Sequence, residues 1–483
     1  MEMNITRELF TQVDEYVYEI PQSARADMRV PARLYADEAI LEAALGDRSI
    51  EQLINTTTLP GVLRYTLAMP DIHQGYGPPI GGVIPVDPDT GVISPGATGY
   101  DINCGVRLLL SELTASDVYP HIEALVNALY ETVPSGVGRG GKIRLDDAAM
   151  AGVLENGARW AVQQGYGSED DLRHTEENGA MADARATAVS PAAQKRGHDQ
   201  LGTLGSGNHF LEVGKVETIY DEAVARAFGL FEGQVVVWIH SGSRGLGHQV
   251  CTDFVKRLQV SVHNYGIVLP DRELVCAPFV SPEGQEYFAA MAAAANFAWA
   301  NRQVMTHLAR QAFGTIIKKA PQLRLLYDVT HNIVKRETYV VDGQSREVLV
   351  HRKGATRAFG PGQDAVPPDY RAIGQPVLVP GDMGTASYVL VGTETAMEKS
   401  FGSACHGAGR AMSRHAALKV VGGQELQARL RSQGIYVRGG SWSGLAEEAP
   451  EAYKDVDRVV DVVHNAGLAR KVARVVPLGV IKG

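Results

Sequence analysis

The sequence of residues 233–245 is GQVVVWIHSGSRG, a continuous apolar run that leads into His240 and a turn of glycine and serine. A short run rich in valine and isoleucine and bounded by such a turn is typical of a strand buried on both faces. Residues 323–332, LRLLYDVTHN, have the same form and lead into His331 and Asn332. The sequence therefore predicts buried strands with polar side chains at their ends.

Other segments extend this pattern to a mixed fold. Strands are predicted at 15–20, 107–110, 234–239, 323–329, 376–379 and 388–391, and helices at 145–167, 248–265 and 281–313. The last helix has Ser281 as its N-cap and Pro282 in its first turn, and it is expected to end near Gly314. Because strands and helices interleave without a strict β-α-β alternation, we expect an α+β or an irregular α/β fold, with α+β preferred, and not a doubly wound Rossmann fold.

The composition describes an ordinary globular chain. Its 483 residues are 45% hydrophobic and 21% charged, which excludes collagen-like, coiled-coil and disordered chains. The most apolar helical segment, residues 288–300, is too short to span a bilayer and contains Asn296. Acidic residues near the start argue against a secretory signal, and four cysteines do not make a disulfide framework. We therefore expect a cytoplasmic protein with free thiols and no membrane partner.

The net charge of −9 argues mildly against a chain that coats nucleic acid through charge alone. It leaves room for a local basic groove. The loop HRKGATRAFGPG, residues 351–362, is the basic segment that best fits such a groove. We expect Lys353 and Arg357 to gather there with Arg244.

The common nucleotide and metal fingerprints are absent. The sequence has no G-x-x-x-x-G-K-[ST], H-E-x-x-H or C-x-x-C motif. One G-x-G-x-x-G occurs at Gly136, Gly138 and Gly141, but it follows Val-Pro-Ser and not a strand. We interpret it as a loop without a dinucleotide.

The remaining candidates are polar side chains at predicted strand ends and in glycine-rich turns. They are Asp101, Cys104, Asn208, His209, Glu212, His240, His331, Asn332 and His406. Any one such histidine is more often a packing residue, but several beside small residues favour a ligand site. Imidazole, thiolate and carboxylate together suit zinc, manganese or iron, and a thiolate can bridge two ions.

Two glycine-rich loops, residues 380–387 and 405–410, could present backbone N–H groups to an anion. A helix is predicted to begin near Arg410, and its N-terminus would add to that attraction. A metal site beside an anion site indicates phosphate chemistry.

These segments resemble one family, the RtcB RNA-splicing ligases, which are GTP- and manganese-dependent enzymes. The matching segments are MPDIHQGYGPPIGGV (69–83), GYDINCGVR (99–107), GSGNHFLEV (205–213), WIHSGSRGLGHQV (238–250), DVTHN (328–332), HRKGATRAFGPG (351–362), PGDMGTASYVLVG (380–392), SFGSACHGAGR (400–410), EAYKDVDRVV (451–460) and PLGVIKG (477–483). The resemblance implies a single large catalytic domain, residues 61–483, with central β-sheets flanked by helices. Residues 1–60 would be an N-terminal elaboration packed on this core.

The resemblance also implies roles for matched residues. Asp101, Cys104 and His209 would bind one manganese ion, and Cys104, His240 and His331 the second, with Cys104 bridging. His406 would be the nucleophile that becomes guanylylated. The GTP or GMP pocket would comprise Asn208, Glu212, Asn332, Pro380, Gly381, Asp382, Met383, Ser387, His406, Gly407, Ala408, Gly409, Tyr453 and Lys482. Arg244 and Lys353 are the expected RNA contacts. Some family members have Ser at position 382, so Asp382 is either a guanine-facing acceptor or a spectator.

The implied reaction joins an RNA 3′-phosphate or 2′,3′-cyclic phosphate end to a 5′-hydroxyl end. His406 would attack the α-phosphorus of GTP, and GMP would then pass to the RNA 3′-phosphate before the 5′-hydroxyl displaces it. Broken RNA or tRNA halves are the expected substrates, with an archease-type activator as a further partner. Two alternatives are a dimetal phosphodiesterase without a nucleotide intermediate and a non-catalytic RNA- or nucleotide-binding protein.

Overall fold

Two large sheets form the centre of the structure, a computed structural model that describes residues 5–318 and 322–483. The strands are β1 (Thr11–Asp14), β2 (Val17–Ile20), β3 (Ala32–Tyr35), β4 (Thr66–His73), β5 (Ile80–Val86), β6 (Val92–Ile93), β7 (Gly105–Thr114), β8 (Phe210–Ile219), β9 (Gln234–Ser241), β10 (Ala277–Pro278), β11 (Arg324–Thr330), β12 (Asn332–Val341), β13 (Gln344–Lys353), β14 (Ala355–Arg357), β15 (Pro376–Val379), β16 (Ser387–Gly392), β17 (Ser403–Cys405), β18 (Tyr436–Gly439) and β19 (Ala469–Lys482).

Helices pack around these sheets. They are α1 (Glu38–Leu45), α2 (Ser49–Thr56), α3 (Ala115–Val118), α4 (Ile122–Thr132), α5 (Asp147–Asn156), α6 (Ala158–Gln163), α7 (Glu169–Arg173), α8 (Pro191–Gly197), α9 (Glu222–Phe228), α10 (Arg244–Asn264), α11 (Pro282–Ile316), α12 (Glu394–Lys399), α13 (Arg414–Ala417), α14 (Gly423–Ser432), α15 (Trp442–Glu447) and α16 (Val456–Asn465).

The strand order confirms the predicted fold class. One sheet has the order β1-β2-β3-β4-β5-β13-β12, and the other has the order β11-β7-β9-β8-β19-β16-β15, with β18 beside β19. Neighbouring strands are antiparallel except for β3–β4 and β18–β19. Such sheets, with helices outside them, make an α+β fold, whereas a Rossmann fold needs a mostly parallel sheet.

The predicted helix at 281–313 is confirmed as α11. Ser281 Oγ accepts a hydrogen bond from the Gly284 N–H at 3.1 Å, as an N-cap does. The helix continues past Gly314 to Ile316. Its buried Asn296 donates to the Leu154 carbonyl at 3.0 Å and accepts from the Met181 N–H at 2.8 Å, so this polar side chain ties α11 to its neighbours. No helix in the described ranges is long and apolar enough to cross a bilayer.

Two helix predictions and one strand boundary were wrong. The expected helix at 145–167 is split into α5 and α6 at Gly157, whose φ of 55° and close contact with Gly179 exclude a regular turn. No helix begins near Arg410; the chain stays irregular until the four-residue α13. The strand expected at 15–20 begins at Val17, because a tight turn joins β1 to β2.

Residues 1–60 were expected to elaborate the core. Among them, β1, β2 and β3 extend the first sheet, and β3 pairs in parallel with β4. Their apolar side chains, such as Leu34, Ile50 and Leu53, are buried in the same core cluster as Val106 and Val389. This segment is therefore continuous with the sheet that follows it.

Candidate active site

Four neighbouring strands bring the predicted metal ligands to one sheet edge. In the order β11-β7-β9-β8, each pair is antiparallel. The registers place Gly105 opposite both Thr330 and Ser241, and Phe210 opposite His240. The starts of β7 and β8 therefore lie beside the ends of β9 and β11. Cys104, His209, His240 and His331 are each at one of these strand ends.

Their donor atoms converge. Cys104 Sγ lies 3.4 Å from His209 Nε2 and 3.2 Å from His240 Nε2, and His240 Nε2 lies 3.3 Å from His331 Nε2. Asp101 Oδ2 is 2.7 Å from His209 Nε2. Two donors bound about 2.2 Å from one ion at a tetrahedral angle are about 3.6 Å apart. The distances between these donor atoms therefore fit a divalent metal. Cys104 is the central residue of the donor set.

The protonation of the cluster also suits a metal. His209 Nδ1 lies 3.0 Å from the Leu204 carbonyl, which fixes the tautomer that leaves Nε2 free for a ligand. Burial holds the pKa of His240 and His331 well below the ordinary value, so both rings are neutral. Burial raises the pKa of the Cys104 thiol, and a bound cation would reverse that effect.

A buried network of ion pairs and hydrogen bonds lies next to the cluster of possible metal donors and stabilises it. The Arg302 guanidinium donates to the carbonyls of Asn103 at 2.8 Å and Ser241 at 2.9 Å, next to Cys104 and His240. Asp328 binds Arg302 and Arg107, and all three side chains are fully buried. A fully paired network of this kind fixes the backbone on which the metal donors stand.

His406 lies beside the metal donors and is held by an aspartate. Its Nδ1 is 2.5 Å from Asp71 Oδ2, which also accepts the His406 N–H at 2.9 Å and the Gly407 N–H at 3.3 Å. Burial alone would raise the pKa of Asp71, but the side chain and N–H of His406, together with the charge of Lys454, hold it below the ordinary value. The ring centroids of His406 and His331 are 5.0 Å apart. With a proton on Nδ1, His406 presents an Nε2 lone pair.

A cavity of about 290 Å³ opens beside these groups. Every predicted nucleotide-binding residue except Ser387 lines it: Asn208, Glu212, Asn332, Pro380, Gly381, Asp382, Met383, His406, Gly407, Ala408, Gly409, Tyr453 and Lys482. Cys104, His240 and His331 from the cluster of possible metal donors also line it. Ser387 Oγ instead accepts the Gly381 N–H at 3.1 Å and so shapes the loop.

Charged side chains at one end of this cavity form a network around Glu448. Glu448 accepts from Arg410 at 3.1 Å and from the Tyr453 hydroxyl, and Lys482 Nζ lies 3.6 Å away.

Burial raises the pKa of Glu212 to about 8, with nearby Asp382 acting in the same direction. Glu212 Oε1 has no hydrogen-bond partner in the described part of the chain. A buried carboxyl left in this way is suited to a polar ligand.

Asp382 is largely engaged by its own loop. Its Oδ1 accepts the Gly384 N–H at 2.8 Å, and its Oδ2 accepts the Thr385 hydroxyl at 2.7 Å. These bonds close the turn that brings Pro380 and Gly381 to the cavity wall. Asp382 therefore stabilises this turn, whether or not it also contacts a ligand.

The expected basic cluster does not form. Arg357 is buried and pairs with Glu177 at 3.2 Å, so the expectation that it joins Lys353 and Arg244 was wrong. Lys353 lines the cavity, but its ammonium donates to the carbonyls of Tyr76 and Pro78, and burial lowers its pKa to about 7. Arg244 lies on the Asp101 side, where its Nε donates to Thr203 Oγ1 at 3.2 Å.

Sequence reasoning gave no role to Asp71, Arg302 or Glu448. Asp71 is 335 residues from His406 and Glu448 is 34 residues from Lys482, so spacing could not pair them. Asp71 lies within a segment that resembles the RtcB family, and that was its only signal.

Comparison with known proteins gives consistent matches. The family model described as "tRNA-splicing ligase RtcB" matches residues 52–483. The chain is 54% identical over 475 residues to the tRNA-splicing ligase RtcB of Thermococcus kodakarensis, covering 98% of both chains. It is 54% identical over 478 residues to that of Archaeoglobus fulgidus, covering 98% of this chain and 99% of the relative. The RNA-splicing ligase RtcB of Mycobacterium tuberculosis is 52% identical over 435 residues, which is 89% of this chain and all of the relative.

Proposed function

The chain belongs to the RtcB family of RNA-splicing ligases, and from that premise we propose that this RNA ligase uses GTP to join RNA 3′-phosphate or 2′,3′-cyclic phosphate ends to 5′-hydroxyl ends. The observation that carries the proposal is the pairing of His406 with buried Asp71, beside the metal donors and in one cavity. A hydrolase would need the metal donors but not a histidine oriented for attack.

In the first step, His406 Nε2 attacks the α-phosphorus of GTP. The N–P bond forms as the bond to the bridging oxygen breaks, and pyrophosphate leaves with that electron pair. Asp71 holds the proton on Nδ1 and stabilises the positive charge that develops on the ring, as the aspartate of a catalytic triad does. The His406 ring is thus oriented for attack, and Asp71 remains its hydrogen-bond partner throughout this step.

A 2′,3′-cyclic phosphate end would first be hydrolysed: water adds to the phosphorus, the bond to the 2′-oxygen breaks, and a 3′-phosphate and a 2′-hydroxyl result. GMP then passes from His406 to the RNA 3′-phosphate, which restores the free imidazole and gives the RNA a good leaving group. Attack by the 5′-hydroxyl forms the new phosphodiester and releases GMP. Asn208, Glu212, the 380–383 loop and Lys482 would hold the nucleotide through these steps. We place RNA phosphates near Arg244 and also near Lys353, which lines the cavity.

Asp101, Cys104 and His209 would hold one manganese ion, and Cys104, His240 and His331 the other. The donor distances and the neutral imidazoles support this assignment. When bound, manganese would neutralise negative charge on the phosphate oxygens. The ligand types alone also suit zinc or cobalt, so metal content has to be measured.

We further propose that residues 61–483 form the catalytic domain and that residues 1–60 brace its first sheet. The shared core around Leu34 and Ile50 supports this division of roles. The enzyme would act in the cytoplasm on broken RNA or tRNA halves, with an archease-type activator as partner. The reduced thiol that Cys104 needs as a ligand is consistent with that compartment.

The test is strand joining with purified protein and manganese. A 3′-phosphate RNA or a 2′,3′-cyclic phosphate RNA is incubated together with a 5′-hydroxyl RNA, and each pair is tested with GTP, with ATP and without nucleotide. We expect joined product only with GTP. Opening of a cyclic phosphate end without joining under any of these conditions would instead identify a metal phosphodiesterase.

Replacing Asp71 with asparagine should slow GMP attachment by about 10² to 10⁴-fold. An amide cannot hold the His406 proton on Nδ1 as the carboxylate does, so the wrong tautomer becomes populated. The rate is measured in a single turnover with α-labelled GTP. Asp369→Asn is the matched control, because Asp369 binds His174 at 2.8 Å away from the cavity. Attachment at the wild-type rate in Asp71→Asn would remove Asp71 from the mechanism.

Lys482→Met should raise the KM for GTP about 10- to 100-fold, because a charged hydrogen bond to a ligand contributes about 1.5–3 kcal/mol. Methionine keeps most of the length of the lysine side chain, whose end lies over the Phe210 ring, and removes the charge. The dependence of GMP attachment on GTP concentration gives the KM. Lys471→Met, on the same strand but paired with Asp461, is the control. A fall in kcat at unchanged KM would show that Lys482 does not hold the nucleotide.

A further inference from the structure

Three aromatic side chains form a continuous surface that the proposed reaction does not yet use. We call Tyr76, Tyr100 and His248 the aromatic wall. The Tyr76 and Tyr100 rings meet edge to face with centroids 5.4 Å apart, and the His248 ring lies 4.8 Å from Tyr100 at a tilt of 35°. Tyr76 and Tyr100 are half-buried and line the cavity, and His248 is exposed and contacts Tyr100.

The aromatic wall stands beside the reacting groups. Tyr100 directly precedes the metal ligand Asp101. The backbone under Tyr76 is held by Lys353, whose buried ammonium donates to the carbonyls of Tyr76 and Pro78. At Gly354 the chain passes so close that a Cβ atom would lie 3.1 Å from His406 Cε1. Tyr76 and Tyr100 line the same cavity as His406 and Cys104, so a planar group on this wall shares that cavity with the reacting groups.

This side of the cavity differs from the side that holds the predicted nucleotide residues. Around Lys482, the cavity is lined by Glu212, Arg410 and Glu448, which are charged. Around Tyr100, it is lined by Tyr76, Ile80 and Gly99, with Asn332 and Lys353 beside Gly99. The Lys353 ammonium is bonded to the carbonyls of Tyr76 and Pro78, so the ring faces and apolar side chains dominate this side. The polar side suits a nucleotide that must be recognised, whereas the aromatic side suits stacking without base recognition.

Cations flank the aromatic wall at its outer end. Arg244 lies one helical turn before His248 on α10, and Arg196 reaches Gln249 Oε1 at 3.1 Å. Neither arginine forms an ion pair with another residue in the described ranges. Proteins that bind single-stranded nucleic acid combine cations along the backbone path with rings on which bases stack.

We propose that the aromatic wall is the stacking site for the terminal base of an RNA strand whose end is joined. This inference rests on the proposed ligase function and deepens it. A base stacked on Tyr100 brings its own ribose and phosphate toward Asp101 and His406, while Arg244 and Arg196 meet phosphates farther along the strand. Because every base has a ring face, this site positions the end without selecting its sequence.

The test compares Tyr76→Leu and His248→Leu with wild type on three RNA pairs. One pair carries all its bases, one has an abasic nucleotide at the 3′-phosphate end, and one has it at the 5′-hydroxyl end. Single-turnover joining is measured beside GMP attachment to the protein. Tyr265→Leu is the matched control, since Tyr265 is exposed and bonded to Glu283 away from the cavity.

Each joining rate is divided by the same protein's rate of GMP attachment. By this ratio, we expect Tyr76→Leu to join the complete RNA about 5- to 100-fold more slowly than the wild type. On the RNA that lacks the stacked base, variant and wild type should join at equal rates, and this RNA identifies which end stacks. Loss by the same factor on all three pairs would overturn the inference, as would an unchanged rate on the complete RNA. His248→Leu, which changes an exposed residue, keeps the test decisive if Tyr76→Leu fails to fold. Failure of wild type itself to join any pair would contradict the ligase function instead.

Discussion

His406→Ala is expected to abolish attachment of GMP to the protein while both metal ions stay bound. Removing the imidazole removes the nitrogen that attacks the α-phosphorus, and a water molecule cannot replace a covalent nucleophile. The proposed metal donors are other residues, and the His406 ring lies beside the His331 ring with centroids 5.0 Å apart. Labelling with α-labelled GTP after denaturation reports the adduct, and elemental analysis of the purified protein reports the metals.

The control for this variant is His415→Ala, which removes an exposed histidine from the following short helix. It should label as the wild type does. Loss of metal in His406→Ala would show that His406 is a ligand and not the nucleophile. Persistent labelling of His406→Ala would place the covalent bond on another residue.

Cys104→Ser is expected to remove both metal ions and to reduce joining at least about 10³-fold. Cys104 Sγ is the one donor that lies close to both His209 and His240, at 3.4 Å and 3.2 Å. A bridging thiolate contributes to both sites, whereas a serine hydroxyl stays protonated and binds weakly. Metal content per chain and the joining rate are measured on the same preparation.

Cys251→Ser provides the comparison, because this cysteine is also buried but lies in an apolar core cluster, where its Sγ donates to the Pro95 carbonyl at 3.7 Å. It should keep both ions. Full occupancy of one site in Cys104→Ser would contradict a bridging role, and full occupancy of both would remove Cys104 from the metal centre.

The fold could be predicted where a pattern is local. The apolar runs at β9, β11 and β15 and the capped helix α11 follow directly from side-chain periodicity and end signals. The position of histidines at strand ends could also be predicted. Their convergence could not, because it depends on the antiparallel order β11-β7-β9-β8, in which β7 pairs with β9 and β11, both more than 100 residues away along the chain.

The wrong predictions share a cause in tertiary contacts. The helix expected across Gly157 breaks because the backbone of Gly179 packs against that residue. Arg357 was expected in an exposed basic loop, but it is the last residue of β14, and its guanidinium pairs in the interior with Glu176 and Glu177. A sequence shows the charge of such a residue but not the distant carboxylate that pairs with it.

Asp71 and the aromatic wall were beyond local patterns for the same reason. The contact between Asp71 and His406 joins the first sheet to the loop after β17, and the contact between Tyr100 and His248 joins a turn to α10. In both cases each residue alone resembles ordinary core or surface. Their arrangement in space gives the imidazole its orientation and the cavity its ring-lined side.

The central claim is that His406 carries GMP during the reaction. The most direct measurement is mass spectrometry of peptides from wild-type protein that has been incubated with manganese and GTP and digested at alkaline pH, where a phosphoramidate is stable. The account predicts a peptide containing His406 that carries one GMP, and loss of this adduct in acid. A GMP adduct on a different residue, or joining of RNA with no protein adduct at all, would contradict it.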